Sequence, residues 1–217
     1  IATGVDPKHE IALHDANIKD QSIEDTVNHI KEQRPDVLGL SVVTRRLHPM
    51  RELARRIKQE LPKTKIVAGG PHINYWPKES MELNVLDYAM PGFGERTFPQ
   101  LIDAIDQGEK TESITKVPGL YYKGLTGSIH ANPPGITERN LDDIPFPDRT
   151  LLDLNDYYTA VDQHKMTTTY SSRGCPFTCT FCDRPALGKA FRARSPENVI
   201  EELKQCIKLG IKEFNIF

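Results

Sequence analysis

The sequence predicts an α/β protein in which a doubly wound parallel sheet is followed by the opening of a parallel β/α barrel. In the first half of the chain, apolar runs of strand length alternate with amphipathic runs of helix length, the pattern of a parallel sheet covered by helices. Polar or glycine-containing loops follow these apolar runs, as expected where ligands bind beyond the carboxyl ends of parallel strands. Near the end of the chain, a β-rich run, a capped helix and a second apolar run predict the first unit of a barrel.

The first predicted elements are a short strand at Glu10–His14 and a helix that begins after Ser22. Ser22 and Asp25 have the spacing of a weak capping box, in which each side chain bonds the other residue's backbone. The helix is expected to end before Pro35, because the residue preceding a proline is restricted to extended conformations. Its predicted apolar face consists of Ile23, Val27 and Ile30.

Three apolar runs predict the parallel strands: Val37–Val43, Lys65–Ala68 and Val85–Met90. They are nearly continuous in apolar residues, which is typical of strands that are buried on both faces of a sheet. The helices that follow the strands are predicted from apolar residues at helical spacing. These residues are Met50, Leu53, Ala54, Ile57 and Leu61 in one helix, and Phe98, Leu101, Ile102 and Ile105 in another.

The sequence changes in character after these helices. Leu120–Lys123 and Ser128–His130 predict the two strands of a hairpin, and the prolines that follow predict an extended linker. We therefore predict a sheet domain at residues 1–117, a hairpin with a proline-rich linker at 118–165, and the start of a barrel at 166–217.

The barrel start is predicted from a strand, a helix and the beginning of another strand. Met166–Tyr170 is rich in β-forming residues. Ser195 caps the helix with Pro196 in its first position, and Gly210 ends it. Glu213–Phe217 then begins the second strand.

The composition gives no support for nucleic acid or a membrane as a partner. The 217 residues carry a net charge of −2, which gives no argument for nucleic acid or an anionic membrane as a partner. The apolar runs are too short to span a bilayer, and no secretory signal peptide is recognisable. Clustered cysteines are typical of a reducing compartment, so we expect a cytoplasmic protein. Because the chain opens without Met and closes within a strand, we expect it to be truncated at both ends.

Cys175, Cys179 and Cys182 form the most specific motif of the chain, a C-x3-C-x2-C run with an aromatic residue before the last cysteine. Cysteine thiolates hold iron–sulfur clusters, normally with one thiolate for each iron of a four-iron cluster. Three ligands would leave one iron open, and an open metal position is where a substrate or cosubstrate can bind. The spacing therefore favours a catalytic iron–sulfur cluster.

Zinc is the main alternative for these cysteines. Structural zinc takes four ligands, whereas the fourth cysteine of the chain, Cys206, falls on the apolar face of the predicted helix, and no histidine follows the motif. Cys206 is better explained as a small buried hydrophobic residue. A zinc-stabilised scaffold without a redox role nevertheless stays open at this point.

The motifs taken together resemble the cobalamin-binding radical S-adenosylmethionine enzymes. The resemblance covers nearly the whole chain and includes members similar to anaerobic magnesium-protoporphyrin monomethyl ester cyclases and to class B methyltransferases. It implies a Rossmann-like (flavodoxin-like) cobalamin-binding domain followed by a partial radical S-adenosylmethionine β/α barrel. The matching segments are Asp36–Ser41, Gly69–His72, Gly92–Glu95, Leu141–Pro147, the cysteine motif and Phe191–Val199.

The resemblance also implies cofactors and their contacts. The three cysteines would ligate a 4Fe–4S cluster whose open iron chelates S-adenosylmethionine, and reductive cleavage would give a 5′-deoxyadenosyl radical. Phe181 would lie beside the adenine. The residues implied to contact cobalamin are Ser41, Thr44, Gly69, Gly70, Pro71, His72, Gly92, Gly94 and Glu95.

The implied activity is methyl transfer to, or oxidative cyclisation of, an organic small molecule, with a tetrapyrrole as one candidate. Reduced flavodoxin or ferredoxin would supply the electron. The sequence identifies no further catalytic residue. It also lacks the Asp-x-His-x-x-Gly motif that supplies a cobalt-ligating histidine in other cobalamin proteins, and the later barrel strands. A second hypothesis is therefore a cobalamin-type binding module joined to an incomplete, inactive barrel.

Overall fold

A computed structural model describes residues 1–135, 140–160, 163–182 and 190–217. The chain divides into two compact units. The first contains Gln21–Ile136 with Ile1 and Thr3–Asp6, and the second contains Thr137–Phe217 with Ala2 and Pro7–Asp20.

The first unit is built on a five-stranded sheet in the order β1-β2-β3-β4-β5. Strands β1 (Val37–Ser41), β2 (Lys65–Gly69) and β3 (Tyr88–Ala89) are parallel, as predicted. Strands β4 (Tyr121–Lys123) and β5 (Ile129–Ala131) form the predicted hairpin, and β4 pairs antiparallel with β3. The sheet is therefore mixed, and the hairpin that we assigned to the linker is part of it, because β3 offers a free edge to β4.

Six α-helices accompany this sheet in the described part of the first unit. Helix α1 begins with the predicted capping box, in which the Ser22 hydroxyl accepts from the Asp25 N–H and the Asp25 carboxylate accepts from the Ser22 N–H, both at 3.1 Å. Sequence patterning missed α3, α4 and α6 because helices of one or two turns show no periodicity. No helix in the described ranges is long and apolar enough to cross a membrane. The six are α1 (Ile23–Gln33), α2 (Leu47–Glu60), α3 (Pro71–Tyr75), α4 (Pro77–Glu82), α5 (Gly94–Asp106) and α6 (Thr111–Ile114).

Separate hydrophobic cores cover the two faces of the sheet. Successive strand residues point to opposite faces. Ile66 and Ala68 accordingly belong to the core formed with α1 and α2, whereas Val67 and Tyr88 belong to the core formed with α5 and α6. Burial on both faces explains why these strands read as continuous apolar runs, and it confirms the predicted α/β class.

The second unit contains one β-α-β unit and a short antiparallel pair. Strands β6 (Met166–Thr169) and β9 (Glu213–Ile216) are parallel, and α7 (Pro196–Lys208) connects them, as predicted for a barrel start. Strands β7 (Ser172–Arg173) and β8 (Arg192–Ala193) pair antiparallel and were not predicted. The expected strand at residues 10–14 does not form: most of that run is exposed, and no strand of the described residues pairs with it.

Candidate cofactor-binding sites

The carboxyl ends of the parallel strands bring the loops after β1 and β2 together. Ser41, the last residue of β1, is paired with Gly69, the last residue of β2. Beyond the strands, the Val42 N–H donates to the Gly69 carbonyl at 2.8 Å, and the His72 N–H donates to the Val42 carbonyl at 2.9 Å. The two loops therefore form one hydrogen-bonded edge, at the end of the sheet where ligands bind in this class of fold.

Thr44 and His72 form the polar contact at this edge. The Thr44 hydroxyl lies 3.1 Å from His72 Nδ1, and His72 is only 6% exposed. The imidazole also packs against the ring of Trp76, with 5.2 Å between centroids. These three residues and Leu47 line an open cleft of about 340 Å³ whose far wall is formed by α4. An apolar cleft with a few convergent polar groups is the usual form of a site for an organic ligand.

Gly70 is explained by the fold itself. Gly70 has φ +95° and ψ −178°, a conformation that is essentially restricted to glycine. A Cβ there would lie 2.9 Å from the Val42 nitrogen. A Cβ at Gly94 would lie 2.8 Å from Ile1 Cδ1. Gly70 therefore needs no ligand to account for it, whereas the contact at Gly94 is with the end of the flexible Ile1 side chain and does not by itself require glycine.

Gly92 belongs to the third loop, after β3. Apart from its two chain neighbours, no atom of the described residues would lie within 4 Å of a Cβ at this position. Its backbone has φ +89°, and its N–H donates to Asn74 Oδ1 at 2.7 Å. Asn74 therefore connects this loop to α3, a role that the sequence reasoning missed. Pro71 is the first residue of α3, and Glu95 lies in the first turn of α5.

The predicted cobalamin contacts thus divide into two groups. Ser41, Thr44, Gly69, Gly70, Pro71 and His72 meet at the ends of β1 and β2. Gly92 lies on the loop after β3, and Gly94 and Glu95 are the first residues of α5. Sequence reasoning also missed Trp76. It is 45% exposed in the structure, and the signal available from the sequence was that the single tryptophan of the chain lies four residues after the Gly69–His72 motif.

The three motif cysteines lie on a loop whose ends meet at the β7–β8 pair. Gly174, with φ +80°, turns the chain out of β7. All three thiols are free; Cys175 is half-buried, and Cys179 and Cys182 are exposed. The Cys182 N–H donates to the Cys179 carbonyl at 3.1 Å, and the Phe181 side chain is 91% exposed.

This loop supplies soft thiol donors, the chemistry that an iron–sulfur cluster requires. In the described residues, no three His, Cys, Asp or Glu side chains are close enough to hold a metal ion, and this includes the three thiols. The donor set fits a cluster by its chemistry. Cys206 is 1% exposed on α7, and burial raises the pKa of its thiol, as expected of a core residue.

A buried carboxylate, Glu202 of α7, lies behind β6 and was missed by the sequence reasoning. It accepts from Arg149 Nη2 at 2.6 Å, from the Thr169 hydroxyl at 2.9 Å and from Arg194 Nη1. Burial by itself would raise the pKa of Glu202, but hydrogen bonds from Arg149, Arg194 and Thr169 lower it below its usual range. Glutamate within a helix is ordinarily read as solvent-exposed, so the sequence gives little signal for it.

Two family models match the chain in the order of its two units. The B12 binding domain matches residues 3–102, and the Radical SAM superfamily matches residues 169–217. The first match contains all the predicted cobalamin contacts, and the second contains all three motif cysteines.

Relatives match nearly the whole chain. An uncharacterized methyltransferase of Pyrococcus horikoshii is 33% identical over 98% of this chain and 46% of that protein. The anaerobic magnesium-protoporphyrin IX monomethyl ester cyclase of Rubrivivax gelatinosus is 27% identical over 92% of this chain and 36% of that protein. The chain therefore spans less than half the length of these curated relatives.

Solved structures share the fold. The radical S-adenosylmethionine methyltransferase TsrM from Kitasatospora setae, with cobalamin and a 4Fe–4S cluster bound, matches with a TM-score of 0.70 and 18% identity over 95% of this chain and 41% of that one. OxsB, a cobalamin-dependent S-adenosylmethionine radical enzyme with aqua-cobalamin and S-adenosylmethionine bound, matches with a TM-score of 0.74 and 21% identity over 93% of this chain and 28% of that one. By its two family matches, its relatives and this fold, the chain belongs to the cobalamin-binding radical S-adenosylmethionine enzymes.

Proposed function

We propose that the protein takes part in cobalamin-dependent radical S-adenosylmethionine catalysis, with residues 1–117 as its cobalamin-binding domain and residues 166–217 as the start of its barrel. The observation that carries this proposal is the position of three free thiols on one loop that follows the first strand of a parallel β-α-β unit. The B12 domain match before that unit supports the cobalamin half of the proposal.

The chain's own residues would bind and orient the cofactors. Cys175, Cys179 and Cys182 would hold the cluster as thiolates, and Phe181 would lie beside the adenine, with its backbone offering the contact. Ser41, Thr44 and His72 would bind cobalamin at the joined ends of β1 and β2. When bound, the cluster supplies the electron for cleaving S-adenosylmethionine, and cobalamin supplies a methyl group or tunes electron flow.

Methyl transfer to an organic small molecule is the reaction we favour, because several relatives are named as methyltransferases. Oxidative cyclisation, with a tetrapyrrole as a candidate substrate, is the second reaction, supported by the cyclase relatives. We propose reduced flavodoxin or ferredoxin as the electron donor. We also propose a cytoplasmic location, because its reducing conditions keep thiols reduced and suit such electron donors.

Anaerobic reconstitution with iron and sulfide tests the proposal. We expect about four irons per chain and an EPR signal after reduction that changes on addition of S-adenosylmethionine, with both lost in Cys179→Ala. A cobalamin titration followed by visible spectra should show saturable uptake. Cobalamin uptake without iron would favour the binding module with an inactive barrel. Zinc in place of iron would favour the zinc-stabilised scaffold. Uptake of neither iron nor cobalamin would refute the proposal.

A further inference from the structure

The buried carboxylate of Glu202 contacts the chain on both sides of the loop between β7 and β8 that carries Cys175, Cys179 and Cys182 (the cysteine loop). The loop leaves β7 and returns in β8, where Ser172 is paired with Ala193. Before β7, the Thr169 hydroxyl donates to Glu202 Oε2 at 2.9 Å. After β8, Arg194 Nη1 donates to the same oxygen. Glu202 therefore joins the segments that enter and leave the loop.

Arg194 strengthens this junction through further hydrogen bonds. Its Nη1 donates to the Tyr170 carbonyl at 2.8 Å, and its backbone N–H donates to the Ser171 carbonyl at 2.9 Å. Its Nε donates to Asn198 Oδ1 at 2.6 Å, in the first turn of α7. The segment after the loop is thus bonded to the segment before it and to the helix that carries Glu202.

Arg149 binds the other oxygen of the same carboxylate. Its Nη2 donates to Glu202 Oε1 at 2.6 Å and to the Thr168 carbonyl at 3.0 Å. The side chains of Arg149, Arg194 and Glu202 are 10%, 9% and 3% exposed. Two largely buried guanidinium groups therefore share one negative charge, and removing that charge would leave two cations near each other with little solvent around them.

We propose that Glu202 is a positioning residue for the iron–sulfur cluster. By joining the two ends of the loop, it would limit the separations that the thiols of Cys175, Cys179 and Cys182 can adopt. The inference rests on the proposed function, since it requires that these thiols hold the cluster. Groups that hydrogen-bond metal ligands directly typically change metal affinity about 10–100-fold when they are removed, and Glu202, which would act through Thr169 and Arg194, is expected to lie at the lower end of that range.

Comparing Glu202→Gln with Glu201→Gln tests this role. Glu201 is the preceding residue on α7, but its side chain is 52% exposed and lies 3.7 Å from Lys204, so it is a matched surface control. After anaerobic reconstitution, we would measure the rate of iron transfer to a chelator and the EPR spectrum of the reduced cluster, at a temperature where circular dichroism shows folded protein. We expect Glu202→Gln to release iron about tenfold faster or more, with a shifted spectrum, and Glu201→Gln to match the unchanged protein.

If Glu202→Gln does not fold, a second pair of variants with smaller changes still tests the proposal. Thr169→Val removes only the hydroxyl that donates to Glu202, whereas Thr168→Val changes an exposed side chain on the same strand. We expect about threefold faster iron release in Thr169→Val alone. Equal release from all folded variants would overturn the positioning role and leave the proposed function standing. Failure of the unchanged protein to take up iron would overturn both.

Discussion

At the scale of single residues, the contacts of His72 in the folded protein make it a candidate ligand-binding residue. A histidine after two glycines could equally lie on an exposed surface loop, but in the structure its ring is buried between Thr44 and Trp76. The hydroxyl of Thr44 gives Nδ1 a partner and thereby fixes the orientation of the ring at the sheet edge.

Replacing this hydroxyl should weaken cobalamin binding while the fold remains intact. We expect Thr44→Val to raise the dissociation constant for cobalamin about threefold to tenfold, a change that corresponds to the usual net free energy of one hydrogen bond. A cobalamin titration monitored by visible absorbance measures the change. Thr115→Val, at an exposed position of the same unit, serves as the control, and equal constants for the two variants would contradict the assignment.

Glu202 should make the stability of the second unit depend on acid pH. Its pKa is lowered on folding, so its stabilisation is fully present above the unfolded pKa of about 4.3 and is lost as the pH falls through the lower folded value. At neutral pH, we expect Glu202→Gln to lower the free energy of unfolding by about 3–5 kcal/mol, because it leaves two largely buried guanidinium groups without a counter-charge. The difference from the unchanged protein, measured by urea unfolding with circular dichroism, should shrink below about pH 4. A difference that is independent of pH would contradict this origin.

At the scale of elements, the joined ends of β1 and β2 depend on Gly70. An alanine there would adopt a glycine-only conformation and would place its Cβ 2.9 Å from the backbone nitrogen of Val42. We expect Gly70→Ala to destabilise the first unit by about 3 kcal/mol, and Gly108→Ala, with φ +87° but open space around it, by about 1 kcal/mol. Unfolding followed by Trp76 fluorescence reports this unit, and similar losses in both variants would mean that the contact with Val42 is unimportant.

At the scale of the whole molecule, the two sets of predicted cofactor contacts belong to different compact units. The cobalamin contacts lie in the unit of Gln21–Ile136, which has its own cores on both faces of its sheet, and the cysteines lie in the other unit. Replacing all three motif cysteines by alanine should therefore abolish iron uptake and leave the cobalamin dissociation constant within about twofold, since a twofold change is only about 0.4 kcal/mol. Loss of cobalamin binding in this variant, seen in the same titration, would show that the two sites are coupled.

The structural features that depend on residues close together in the chain were predictable from the sequence. Hydrophobic period located β1, β2, α2, α5 and α7, because strands and helices each present a regular apolar face. The cysteine spacing placed three thiols on one loop, and the family motifs identified the edge of the sheet. The short helices escaped prediction because one or two turns carry no period, and β3 (Tyr88–Ala89) is shorter than the apolar run Val85–Met90 that predicted it.

The sequence by itself determined the α/β class, the order of the elements and the identity of the candidate ligands. The tertiary structure decided that the hairpin joins the sheet at β3, that Gly70 is required by contact with Val42, and that Glu202 meets Arg149 and Arg194. Glu202 and Arg149 are 53 residues apart in the chain. The physical reason is that local patterns record which face of an element is apolar, whereas the pairing of buried charges depends on which elements pack together.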